Sequence, residues 1–204
     1  MSVTRRKLLA GAAAFGVAAP FAGAAQAQAK VPLAALSQYL NQLSTAQGAF
    51  TQVNPDGSIT TGTIYIKRPG RVRFEYNPPE RSMVIAGGGQ LAVFDPRSDE
   101  PTRYPLNQTP LSIILARNVD LTRARMVTAH TSDGTTTTVR AQDPDNPEYG
   151  SIDLVFTAAP IELRQWVINE NGSSTTVILG DLQSGVTVRE RLFNIQAEMR
   201  DWAG

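Results

Sequence analysis

Between positions 71 and 76 charged and apolar residues strictly alternate, Arg71, Arg73 and Glu75 interleaving with Val72, Phe74 and Tyr76. A period of two residues predicts a strand with one apolar and one charged face. A different period governs "VPLAALSQYLNQLSTAQG" (31–48), where Leu33, Leu36, Leu40 and Leu43 fall on one stripe. That spacing predicts a helix, with Pro32 in its first turn and Gly48 as its stop. Strand signals then dominate. "GAFTQV" leads into the turn letters "NPDG" (54–57), and "TTGTIYIK" answers it. "MVIAGGGQLAVFDP" reads as a hairpin across Gly87–Gly89, and "MVTAHTSDGTTTTVRAQ" turns at Asp133-Gly134. Asn171-Gly172 is the strongest hairpin turn in the chain, and "SGVTVRERLFNI" reads as the last strand.

One apolar segment interrupts the strands. In "NQTPLSIILARN", Thr109 is an N-cap candidate, Pro110 takes the first helical position, and Leu111, Ile114 and Leu115 lie near one face. The pattern as a whole predicts one mainly β domain of about ten sequentially paired antiparallel strands with two helical segments. Ile152, Leu154 and Phe156 share one side of their strand, as Val72, Phe74 and Tyr76 share one side of theirs. A sheet this long curls, keeping one face dry and one wet. Two helical segments of roughly 15 and 8 residues are a thin cover for the dry face. Either the sheet nearly closes on itself, or its pocket is filled by something else.

Composition changes this picture first at the N-terminus. Arg5, Arg6 and Lys7 precede an Ala/Gly/Leu-rich stretch that ends in small residues. This order is that of a secretory signal peptide over residues 1–29, cleaved after Ala27 or Ala29. Gly11, Gly16, Pro20 and Gly23 interrupt the apolar run, which argues against a membrane anchor. "TRRKLL" fits a twin-arginine signal and an ordinary basic leader equally, so both export routes stay open. The segment holds three of the 19 Lys+Arg and none of the 18 Asp+Glu, so the remainder carries a net charge of −2 rather than +1. A broad basic surface for nucleic acid loses its support. Residues 30–204 suffice for a single domain with a sizeable core. The chain has no cysteine, which excludes disulfides, a thiolate nucleophile and a lipid-modified N-terminal cysteine.

Catalytic chemistry finds no foothold. His130 is the only histidine and stands in a strand before a turn, beside Thr128 and Thr131. There is no G-x-S-x-G elbow and no second histidine for a metal. "DPDNPE" (143–148) lacks calcium-loop spacing and carries two prolines. Gly87–Gly89 opens no helix and makes a poor phosphate cradle. Neither a cofactor nor a metal is expected, and binding is the better functional class than catalysis.

Three motifs in order carry a resemblance: "FTQVNPDG", "GTIYIKRPGRVRFEY" followed by a Pro-Pro pair, and "TPLSIILARN". Together they resemble the LolA family of periplasmic lipoprotein carriers, from near Leu33 to about Leu192. The resemblance implies an incomplete, unclosed antiparallel β-barrel covered by short helices, with a hydrophobic cavity for lipoprotein acyl chains. It also implies a monomer in the periplasm, cargo collected from an inner-membrane ABC lipoprotein-releasing complex, and delivery to an outer-membrane acceptor or to the outer membrane directly. Arg68 falls where the family's arginine bridges barrel rim and lid, a role suited to a guanidinium with five fixed donors. Val72 and Phe74 fall on the rim and cavity wall and Leu115 on the lid helix. Tyr76 and Ile114, on the same apolar faces, complete the expected cavity or rim set. Phe74 stands where better-known members often have tryptophan, and the tail 194–204 matches no family pattern. A periplasmic lipid-binding sensor with the same half-barrel is the alternative reading.

Overall fold

The computed structural model describes residues 30–202; the expected export segment and its two cleavage sites lie outside them. The amphipathic stripe forms α1 (Leu33–Gln42), with Leu36 and Leu40 fully buried. The helix ends at Leu43, several residues before the expected stop at Gly48. The reason is non-local: Ser44 O accepts the Arg68 N–H at 2.8 Å, and Thr45 already pairs with Lys67. Gly48 lies inside β1 (Thr45–Val53), where a side chain would collide with Leu182 Cδ2, 2.8 Å from an ideal Cβ.

The NPDG turn leads to β2 (Ile59–Lys67), and β3 (Val72–Tyr76), β4 (Met83–Gly87), β5 (Gln90–Phe94) and β6 (Thr102–Pro105) follow as a meander. β6 is an exposed edge strand whose "TRYP" has no alternation to betray it. A 3-10 turn (Leu106–Gln108) and α2 (Leu111–Leu115) then leave the sheet. Thr109 does not cap α2; its hydroxyl donates back to Leu106 O at 2.8 Å, and Pro110 holds the N-cap position. The chain returns through β7 (Val127–Ser132), β8 (Thr136–Gln142), β9 (Ser151–Thr157), β10 (Leu163–Glu170) and β11 (Ser173–Leu179). Asn171 and Gly172 both take positive φ at the β10–β11 turn, as an Asn-Gly hairpin requires.

The strand order is β6-β5-β4-β3-β2-β1-β11-β10-β9-β8-β7, every pairing antiparallel, with the two-residue β12 (Gln183–Ser184) also on β1. β6 and β7 form the two ends, so the curled sheet is not closed into a barrel. Its concave face carries the main core, including Phe50, Ile64, Phe74, Leu154, Phe156 and Trp166 beneath α1 and α2.

"SGVTVRERLFNI" is not a strand. After β12 it crosses the convex face, forms a 3-10 turn (Glu190–Phe193) and runs into α3 (Ile195–Trp202). β2 and β11 take most of β1, and β12, with Ser184, takes its remaining end, so the rest of the segment docks through side chains. Ile195, Met199 and Trp202, a helical stripe, pack on Met83, Ile85, Ala92 and Phe94 as a second, smaller core. This corrects the expected wet face of β3. Arg73 is only 6% exposed under the tail, donating to Glu75, Glu198 and Leu192 O.

Candidate functional site

The turn between β2 and β3 reaches the lid. Lys67 N–H bonds to Arg71 O at 3.0 Å, closing a loop whose tip projects Arg68 toward the concave side. Arg68 Nη1 donates to Leu40 O near the end of α1, and Nη2 donates to Ala116 O, the residue after α2. Nη2 also approaches Asn41 Oδ1 at 3.3 Å, and the Gly70 N–H donates to Leu115 O at 2.8 Å. Two lid helices therefore present their C-terminal carbonyls, the negative ends of their dipoles, to one cation. Among the described residues no carboxylate pairs with Arg68. Burial lowers its pKa from the ordinary arginine value, yet a guanidinium stays charged at neutral pH.

Behind Arg68 lies a cavity of about 10 Å³, no more room than a single water needs. Ile66 and Val72 wall it from the sheet, Leu40 from α1 and Leu43 from just after it, and Leu111, Ile114 and Leu115 from α2, with Leu163 and Trp166 opposite. The expected residues Arg68, Val72, Ile114 and Leu115 thus meet at one place. Phe74 sits one layer away, edge-on to Trp166 with ring centroids 6.2 Å apart and edge-on to Phe50 at 5.3 Å. Tyr76 is farther still, edge-on to Phe50 and donating to Gln52 Oε1 at 2.7 Å; burial pushes its phenol up to about 12. His130 is remote from this site, its Nε2 3.0 Å from Val31 O.

Two lid residues escaped sequence reasoning. The Asn41 side-chain amide bonds both to Val119 O and to the Val119 N–H, each at 2.9 Å, tying α1 to the segment that leaves α2. Ser37 accepts the Leu121 N–H at 2.9 Å and donates to Leu33 O. Their only sequence signal is position: small polar residues flanking Leu36 and Leu40 on the buried stripe. α1, α2 and residues 116–121 are thereby stitched into one lid.

Residues 41–196 match the family model described as outer membrane lipoprotein carrier protein LolA. An outer-membrane lipoprotein carrier protein of Coxiella burnetii is 33% identical over 111 residues, 50% of this chain and 53% of that one. The chain thus spans about half the length of that relative. The carrier protein of Methylococcus capsulatus is 25% identical over 172 residues, 79% of this chain and 82% of its own. A solved LolA superfamily protein from Nitrosomonas europaea overlaps 82% of this chain and 99% of its own at 8% identity, with a TM-score of 0.45.

Proposed function

The chain belongs to the LolA family, and from that premise we propose that it is a periplasmic carrier for lipoproteins, holding their acyl chains between lid and sheet. Residues 1–29 direct its export and are removed. Cargo comes from an inner-membrane ABC lipoprotein-releasing complex and goes to an outer-membrane acceptor or to the outer membrane itself. No helix among the described residues is long and apolar enough to cross a membrane. Arg68 is the lid latch, and Val72, Phe74, Tyr76, Ile114 and Leu115 are cavity or rim residues that acyl chains meet once the lid lifts.

The observation that carries this reading is an apolar concave face shut by a lid whose central polar anchor bonds to neutral carbonyls. Burying a lipid chain gains roughly 0.8 kcal/mol per methylene, about 12 kcal/mol for one long chain. Several chains bound at that rate would exceed the practical ceiling of non-covalent affinity, and the cargo would not leave. A closed empty state offsets part of the gain. Opening breaks the Arg68 bonds and unpacks Leu40, Ile114 and Leu115 from Trp166 and Val72, so binding is weakened to a reversible level.

Phe74→Glu tests the reading, because an unpaired carboxylate is costly in an apolar site. A fluorescent fatty acid should bind the mature wild type and be displaced by a synthetic triacylated lipopeptide. The variant should bind at least tenfold more weakly. A folded Phe74→Glu protein with undiminished affinity for the probe would overturn the assignment.

A further inference from the structure

A second hollow, half open to solvent and about 300 Å³ in volume, lies beside the sealed pocket. Tyr39 and Gln42 of α1 form one wall, the β9–β10 connection from Pro160 to Arg164 another, and Gly180 to Leu182 a third. Leu43 and Leu163 line both the hollow and the sealed pocket. Both are buried, at 7% and 3% exposure, so the two spaces are parted by a partition of two leucine side chains.

Each half of the partition stands at the end of an element or at a break in its pairing. Leu43 follows α1 directly, three positions after the Leu40 carbonyl that Arg68 holds. Leu163 stands where the β9–β10 register slips, between its own pairing with Phe156 and that of Gln165 with Val155. One bond spans the partition, the Leu163 N–H donating to Tyr39 Oη at 3.1 Å. Burial raises the Tyr39 pKa, so that phenol stays neutral at physiological pH.

The two spaces differ in chemistry. The sealed pocket is apolar apart from Arg68. The hollow combines the Tyr39 ring, Ile161 and Leu182 with the Gln42 amide, the Ser184 hydroxyl and a charge group of one cation and two anions, Arg164 reaching Asp181 at 3.1 Å and Glu162 at 3.5 Å. The excess carboxylate disfavours an anion, while the Gln42 amide and Ser184 hydroxyl can bond to ester and amide groups.

Resting on the carrier reading, we propose that this hollow seats the neutral ester- and amide-bearing junction where acyl chains meet the cargo polypeptide, and that Leu43 and Leu163 are the gate through which the chains enter. Release of Leu40 by Arg68 and withdrawal of Leu43 then belong to one displacement of α1. The polypeptide stays outside, and the acyl chains alone pass the leucines.

The absence of cysteine makes the gate addressable. Leu43→Cys combined with Leu163→Cys supplies the only two thiols, to be joined by a short reducible bifunctional thiol reagent on the mature chain. Joining them should slow uptake of a fluorescent fatty acid at least tenfold, and reduction of the tether should restore it. Separately, Ile161→Trp fills the hollow from a half-exposed position. It should weaken binding of a triacylated lipopeptide at least tenfold while fatty-acid binding stays within twofold. Circular dichroism and the thermal midpoint confirm folding; should Ile161→Trp not fold, Leu182→Trp fills the same hollow from its third wall and is read identically. Uptake unaffected by the tether overturns the gate, and undiminished lipopeptide binding by the filled hollow overturns the junction site. A wild type that binds neither probe overturns the carrier reading itself, an outcome separate from both.

Discussion

Arg68 and Arg73 belong to one hairpin, yet they meet opposite kinds of partner on opposite faces of the sheet. On the concave side Arg68 bonds to neutral acceptors, the carbonyls of Leu40 and Ala116. On the convex side Arg73 bonds to Glu75 at 2.6 Å and Glu198 at 2.8 Å, and to Leu192 O besides. Burial draws both guanidinium pKa values down, but at Arg73 the two carboxylates outweigh it and the net shift is upward. A carbonyl at a helix end can exchange its donor for water when the helix lifts away. A carboxylate pair under a packed helix cannot part so cheaply, because separation strands an uncompensated charge. The lid anchor can therefore be parted at lower cost than the tail anchor.

Removing the convex anchor should have the largest effect. Arg73→Leu leaves Glu75 and Glu198 facing an apolar side chain and should cost about 3 kcal/mol, near the low end for a broken buried pair because both carboxylates touch water. Urea unfolding measures the loss. Limited proteolysis should then cut within 194–202, and Trp202 should lose its contact with Phe94, 5.3 Å away between centroids. Wild-type stability with a protected tail would erase the contrast between the two arginines.

Arg68→Leu should be milder for folding, about 1.5–2 kcal/mol, at the low end for hydrogen bonds to charged groups because the freed carbonyls can turn to water. Its main effect should be on cargo. The closed empty state is weakened, so loading from donor membranes should match or exceed wild type and release to acceptor membranes should slow about tenfold. Normal unloading by a folded, loaded variant would remove Arg68 from the latch.

Asn41→Ala sharpens the contrast within the lid itself. It cuts both amide bonds to Val119 and the 3.3 Å contact from Arg68 Nη2, but leaves the Leu40 and Ala116 carbonyls that face Arg68. A loss of about 1 kcal/mol is expected, with faster uptake of a fluorescent fatty acid and unchanged protection of the tail. Slower uptake would mean that the lid must move as one stitched piece.

Glu190→Gln should matter least. Glu190 bridges Lys67 and Arg71 at 2.7 Å each, but it is 65% exposed, where ion pairs contribute little. Its pKa is lowered by bonds from Lys67 and then Arg71. Any contribution is therefore complete above the ordinary glutamate range and is lost only as pH falls through the depressed value. At neutral pH the thermal midpoint should move less than for any other variant, and the small difference should vanish in acid.

Local chemistry alone determined much of this molecule. The stripe of Leu36 and Leu40, the alternation of Val72 and Phe74, and the turns at NPDG, Asp133-Gly134 and Asn171-Gly172 are properties of neighbouring residues, and each formed where its letters stand. Arg68, Val72 and Leu115 were brought together only by the family resemblance, with Ile114 added from the apolar face it shares with Leu115; the four line one pocket. Other features depended on partners far along the chain. β1 begins at Thr45 because Lys67 claims it, cutting short a helix that the periodicity would extend. The alternating tail became a strap because β2, β11 and the short β12 leave β1 no further edge to offer. Arg73, polar by its letter, was buried by Glu198 arriving from the far end of the sequence. Leu163 and Trp166 joined the pocket wall, and Asn41 and Ser37 the lid, through contacts that no local period encodes. Pattern records which face a residue prefers; only the curled sheet decides what that face meets.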